Sequence, residues 1–449
     1  MKRPAALLLS ALFAVAAGST RVLAQVNAPR SSSNGVFDTR PYTATGQRLD
    51  VTFSTNEGYD HDVLPQTLDT IDLVGPSGAS TNVLGSARYA WFGRHAQFRA
   101  AGESTLRSYN SLGDLPDSSY ATSSHSEATA FSYRTAKNNF VAYQTASYSS
   151  SLLNSLFPQS GEFVPGDAPT VASAYAVRDS QVYSYNAGTE FTRKVTARNS
   201  VSASVDWQHA DTFGAKVKTS SLNASRLRFR FSRDVSRNTT ATAGYSYRLG
   251  DVVGLLPVGG LLEENGAEIG IDYRHPISKT RRLTVQTRVG IASIADPGLT
   301  PEAGLNGQHY RQFSAQVSAL YDIGRTWQAG GEYRRGNFEY VAGLREPVTS
   351  DNFSLRVEGL LTRRLEGLAS IVHSVGKSAL NRTESFYETY NGDVRLRFAL
   401  TRTVAAYGEY VYGFYDSRGT APVIAGLPPS LERNGIRAGF TLRVSAAGK

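Results

Sequence analysis

The most regular feature of the chain is strict alternation between apolar and polar positions. Near the end of the sequence, Ile436, Ala438, Phe440, Leu442 and Val444 interleave with Arg437, Gly439, Thr441 and Arg443. Successive side chains of a strand point to opposite faces, so such a run has one greasy side and one wet side. The same split sets Leu227, Phe229 and Phe231 against Arg226, Arg228 and Arg230, and Val394, Leu396 and Phe398 against Arg395 and Arg397. It also sets Leu283, Val285, Val289 and Ile291 against Thr284, Gln286 and Arg288, and Phe313 to Tyr321 against Ser314, Gln316 and Ser318. These runs are ~9–13 residues long, the length a tilted membrane strand needs. Strands of a soluble sandwich are typically ~5–6 residues.

Between the runs, short basic turns alternate with longer connections rich in Gly, Pro and Asp. The turns are Ser236-Arg237-Asn238, Ser278-Lys279-Thr280, Gly324-Arg325-Thr326, Thr362-Arg363-Arg364 and Thr401-Arg402-Thr403, with basic residues 42, 46, 38 and 39 positions apart. That period equals two strands, one short turn and one long loop. Strands are predicted near 47–58, 83–92, 96–108, 126–135, 139–150, 181–192, 200–210, 221–234 and 239–249, and near 267–277, 281–293, 310–323, 326–339, 351–362, 366–377, 389–400, 403–415 and 434–444. The expectation is an all-β, transmembrane, antiparallel up-and-down barrel over 47–445, with about eighteen strands (16–18). An even count with short turns on one side puts both termini in the periplasm.

The first residues fit that destination. Lys2 and Arg3 precede an apolar stretch, Ala5 to Ala17, and Val22-Leu23-Ala24 offers small-residue cleavage chemistry, so 1–24 is read as a secretory signal and 25–46 as a periplasmic segment. No later stretch approaches the ~18 apolar residues of a membrane helix. The chain has no cysteine, which excludes disulfides, thiol catalysis and thiolate metal sites. Tyr89, Trp91, Trp207, Tyr245, Tyr247, Tyr273, Tyr321, Trp327, Tyr333, Tyr410, Tyr412 and Phe414 share the apolar parity near strand ends, where amphipathic rings form girdles at the lipid–water boundary.

In the last strand, Arg437, Gly439, Leu442 and Val444 form a polar–glycine–apolar–apolar spacing that resembles the assembly signal of outer-membrane barrels, although aliphatics stand where the family prefers aromatics and Ser445 to Lys449 follow. Over nearly all of its mature length the chain resembles the broad family of outer-membrane β-barrel porins, some of whose members are associated with exopolysaccharide systems. The resemblance is one of architecture. It implies folding by the outer-membrane barrel assembly machinery, residence in outer-membrane lipid and a pore-like role.

The formal charge is +9, from 47 basic and 38 acidic residues. Strand parity sends fourteen arginines to the lumen rather than to a nucleic-acid face: Arg226, Arg228, Arg230, Arg288, Arg356, Arg395, Arg397, Arg437 and Arg443 above all, with Arg88, Arg99, Arg248, Arg274 and Arg334. Glu332, Glu358 and Glu409 are their main acidic counterparts, with Asp50, Asp206, Glu268, Asp272 and Asp322. The surplus of arginine is expected to favour anions, while cross-strand pairing would make the same residues a wall-holding ladder. The expected function is passive passage of small anionic solutes, with export of an anionic exopolysaccharide as the alternative.

Signals for an enzyme are thin. The seven histidines are scattered and no GxSxG elbow exists. Asp60-His61-Asp62, Glu263-Glu264-Asn265 and Asp114 to Asp117 are read as solvated loop acids before metal or acid–base sites. No cofactor or metal is expected. Val252 to Leu262 and Ala421 to Leu431 are unusually apolar for external loops and are read as packing on one another.

Overall fold

The computed structural model describes residues 46–61, 77–109, 120–149, 180–214, 217–253, 260–278, 280–295, 309–324, 326–336, 348–378, 386–418 and 430–448. They form eighteen strands: β1 (Gly46–His61), β2 (Gly78–Phe92), β3 (Ala96–Tyr109), β4 (Tyr120–Arg134), β5 (Asn138–Ser149), β6 (Ser180–Lys194), β7 (Asn199–Gly214), β8 (Val217–Asp234), β9 (Thr239–Val253), β10 (Gly260–Pro276), β11 (Arg282–Ala295), β12 (His309–Ile323), β13 (Trp327–Arg335), β14 (Val348–Leu360), β15 (Leu365–Ser378), β16 (Phe386–Ala399), β17 (Val404–Arg418) and β18 (Ser430–Gly448). Each pairs antiparallel with its neighbours in sequence, and β1 pairs with both β2 and β18. The sheet therefore closes on itself, every strand having a partner strand on both sides.

Exposure identifies the two faces. Ile436 is 68 % exposed and Phe440 55 %, whereas Arg437 between them is 1 % exposed and Thr441 6 %. The inversion of the usual pattern holds around the wall, with Phe53, Phe229, Ile269, Ile291, Phe313, Leu355 and Val394 facing out. A contiguous apolar belt of this extent is not a surface for water, and it gives a closed barrel its lipid-facing band. The chain is thus a membrane-spanning barrel whose wall is one sheet thick, with charged and polar side chains on the inside. Trp91, Trp207, Tyr245, Tyr333 and Tyr410 stand exposed on the outer face.

The short turns are built to one plan. In each of five, a Ser or Thr hydroxyl accepts the N–H two or three residues on: Thr196 from Asn199 (3.0 Å), Ser236 from Asn238 (3.2 Å), Ser278 from Arg281 (3.1 Å), Thr362 from Leu365 (3.1 Å) and Thr401 from Val404 (2.9 Å). These caps satisfy backbone donors that the hairpin geometry would otherwise leave open. β1 begins and β18 ends at this same rim, since Gln47 pairs with Gly448.

Two loop assignments change. Asp60 is not a loop residue but part of β1, on the inner face and 0 % exposed. Glu263, Glu264 and Asn265 lie in β10, where neighbours point to opposite faces, so Glu264 is buried inside and no acidic loop cluster forms. Residues 1–45, Asp62, Asp114 to Asp117 and most of Val252 to Leu262 and Ala421 to Leu431 lie outside the described residues.

Candidate functional site

The inner wall is the only face of the described barrel rich in charge, and its charges gather in three groups. The first stitches the closing seam. Asp60 on β1 meets Arg433 Nη2 at 2.8 Å and Arg437 Nη2 at 3.4 Å, both on β18. Ser80 on β2 and Tyr109 on β3 donate hydroxyls to the same carboxylate at 3.2 and 3.3 Å. Arg437 also reaches Glu409 on β17 at 3.6 Å. Arg107 on β3 bonds Asn82, Asn82 donates to Asn56 at 2.7 Å, and Asn56 donates to the Tyr407 hydroxyl at 2.7 Å. One polar network therefore crosses five strands at the junction of the first and last. Nearer the short-turn rim, Asp50 takes Arg443 at 3.4 Å and the Ser445 hydroxyl, repeating the stitch.

Glycine makes the first group possible. Asp60 faces Gly435 on β18, and a Cβ there would land on its Oδ1. Gly58 sits opposite Arg437, and a Cβ would meet the arginine Cγ at 2.8 Å. Removing two side chains from the wall opens the space in which buried charges can pair.

The second group is the arginine column of β8. Arg226, Arg228 and Arg230 all face inward, two residues apart. Arg230 reaches over Gly244 of β9 to Glu268 of β10 at 2.8 Å. Arg226 lies opposite Asp206 and Arg248, with Glu264 and Glu268 close by. Arg228 and Arg288 add their charges around Glu268, and Asp272 stands near Arg288. Asp206 in turn takes the Tyr143 hydroxyl across Gly188. The Nε groups of Arg226, Arg228, Arg230 and Arg288 make no hydrogen bond within the protein.

The third group runs through β12 to β17. Arg356 pairs with Glu358 at 2.7 Å, Gln316 donates to Glu332 at 2.9 Å, and Arg397 grips both oxygens of Glu366 at 2.8 and 2.7 Å. Arg395 stands in register with Glu409. All nine arginines singled out in the sequence are thus on the inner face, spread around the wall rather than gathered at one point. Of the assembly-signal residues, Arg437 is held in the seam, Gly439 lies against Asn56, and Leu442 and Val444 face out.

Sequence parity missed six acids that share this face, Asp60, Glu103, Glu190, Glu264, Glu366 and Asp393, against the arginines Arg48, Arg107 and Arg433 that it also missed. Asp60 and Glu264 fell beyond the expected strand ends, and Glu190 lies on a strand with weak alternation. The inner wall is consequently closer to charge balance than the arginine pattern alone implied. The wall also differs along its length. Toward the long connections its side chains are almost fully shielded from water, as with Asp60, Ser80, Arg107, Tyr109, Tyr387, Thr389, Tyr415 and Arg433. At the level of the β8 column they are only half-buried. No group of three or more His, Asp or Glu among the described residues is arranged to hold a metal ion.

No protein-family model matches the chain, and no curated relative does. Solved structures similar to it include OccAB4 of Acinetobacter baumannii, at 12 % identity over 91 % of this chain and 100 % of that one, with a TM-score of 0.42. OccK10 (OpdN) of Pseudomonas aeruginosa is similar at 10 % identity over 90 % and 99 %, TM-score 0.39. OpdL of the same organism is similar at 12 % over 89 % and 99 %, TM-score 0.39.

Proposed function

We propose that this protein is an outer-membrane, porin-like channel that passes small solutes by diffusion, with its short turns and both termini in the periplasm. The observation that carries the reading is the closed eighteen-strand wall, apolar outside and charged inside. A barrel of this many strands is wide enough to enclose an aqueous path. Inside it the protein performs no covalent step. It supplies a polar lining that replaces part of a solute's hydration and a field that sorts by charge.

The preference we assign is for anions, and the β8 column is its source. Arg226, Arg228 and Arg230, at alternate positions of one strand, stand with Arg248 and Arg288 against Asp206, Glu264, Glu268 and Asp272, which leaves a surplus of positive charge on this stretch of wall. The acids elsewhere on the wall limit the preference to a moderate one. In proteoliposomes, a small anionic dye should leave faster than a cationic dye of equal size. Equal rates would remove the anion preference, and retention of both would remove the channel. Export of an anionic polysaccharide would use the same column; it requires secreted polymer to fall when the gene is deleted.

A further inference from the structure

The eight short turns connect β2 to β3, β4 to β5 and so on to β16–β17, and each contains at least one Lys or Arg and no Asp or Glu. The lumen does not use these cations. Arg198, Arg237, Arg281, Arg363, Arg364 and Arg402 are exposed, as are Arg94, Lys137 and the outward-facing Arg193 and Arg233 at the strand ends. Together they form a ring of positive charge around one rim.

A second feature says what the ring faces. Five turns begin with an aliphatic residue on the outer face: Val195, Val235, Ile277, Leu361 and Leu400, exposed by 61, 60, 50, 51 and 47 %. The hydroxyl-capped residue follows, and the base comes next or shortly after. The order along each turn is therefore lipid-facing aliphatic, fixed bend, cation. An aliphatic at the edge of the belt belongs among acyl chains, and a base a few ångströms beyond it belongs among phosphates. A soluble acidic partner seated under the rim would meet the cations but leave the outward aliphatics bare.

We propose that the short-turn rim is a lipid-anchoring ring that recruits anionic phospholipid headgroups of the leaflet it faces. The inference rests on the membrane-spanning reading and adds to it a choice of lipid. The apolar belt fixes depth, the five capped turns fix where the bases stand, and the absence of turn carboxylates removes competition for them. A single base at an anionic surface favours association about fivefold, so a ring of them should enrich phosphatidylglycerol strongly at this rim.

The test uses the folded full-length barrel in discs of equal parts phosphatidylglycerol and phosphatidylcholine, followed by gentle detergent extraction and measurement of the retained lipid. The wild type should retain phosphatidylglycerol at least about fivefold over phosphatidylcholine. Changing Arg198, Arg237, Arg281, Arg363, Arg364 and Arg402 together to Gln should lower the preference severalfold, the remaining bases keeping part of it, and changing the same six to Lys should leave it as in the wild type. Both variants must show the unboiled, compact gel mobility of a folded barrel. Equal retention by the wild type and the Gln variant overturns the proposal. So does tight binding of soluble polyglutamate by the wild type with no lipid preference, which would make the ring a protein-docking surface. A barrel that inserts and conducts but shows no lipid preference loses this inference alone, whereas one that fails to insert loses the membrane reading beneath it.

Discussion

The Asp60→Asn substitution probes the seam most sharply. The side chain keeps its shape but gives up its charge, leaving Arg107, Arg433 and Arg437 inside the wall with Glu409 as the nearby acid. Asp60 is 0 % exposed and accepts from two arginines and two hydroxyls, so solvent cannot take its place. Removing one partner from a buried pair costs about 3–5 kcal/mol, because the survivors stay desolvated and uncompensated. With a urea slope of about 2–3 kcal/mol/M, the unfolding midpoint in vesicles should fall by roughly 1–2.5 M. Adding Arg433→Met should recover part of that loss, since the double change removes the stranded charge too. The exposed pair Arg418–Asp416 serves as the contrast, and its loss should cost under about 1 kcal/mol. A midpoint unmoved by Asp60→Asn, or a double variant weaker than the single one by the full added cost of Arg433→Met, would refute the idea that this seam is held by buried charge.

Three other outcomes follow from the same geometry. Gly435→Val pushes a side chain onto the Asp60 carboxylate and should destabilise the barrel by about 1–3 kcal/mol, read in the same urea titration. Ile269→Arg places a cation in the lipid belt and should cost about 2–4 kcal/mol near the midplane, while Gln286→Arg on the inner face should stay within about 0.5 kcal/mol; equal costs would mean the faces are misassigned. Changing Arg226, Arg228 and Arg230 together to Gln should lower the anion-to-cation permeability ratio severalfold without changing gel mobility, and an unchanged ratio would place selectivity elsewhere.

The strand count and order were legible because alternation survives wherever one face meets lipid. β8, β11 and β18 announce themselves through arginine against Leu, Ile and Phe. β4 to β6 are fainter because their outer faces carry Thr129, Ala142, Gln144, Ala146, Ala187 and Thr189, so polarity barely changes from one position to the next. Strand ends at the long connections were cut short for the same reason that they matter. Asp60 and Glu264 are charged, and charge near a predicted strand end looks like loop. Only closure of the sheet shows that residues 377 positions apart in sequence, Asp60 and Arg437, are neighbours. The glycine gaps were also invisible: Gly188, Gly244 and Gly435 earn their places from side chains on flanking strands, and no local pattern records that. The basic turns were plain in the sequence, but their shared hydroxyl cap and outward aliphatic emerge only from the hairpin geometry.

The central claim is that a lipid-embedded, charged-lumen barrel conducts, and single-channel recording in planar bilayers under a salt gradient tests it most directly. Folded protein should give discrete, repeatable steps, with a reversal potential displaced toward the anion equilibrium value and moved toward zero in the triple arginine variant. Absence of steps from barrel shown to be folded and inserted, or a reversal potential on the cation side, would contradict it.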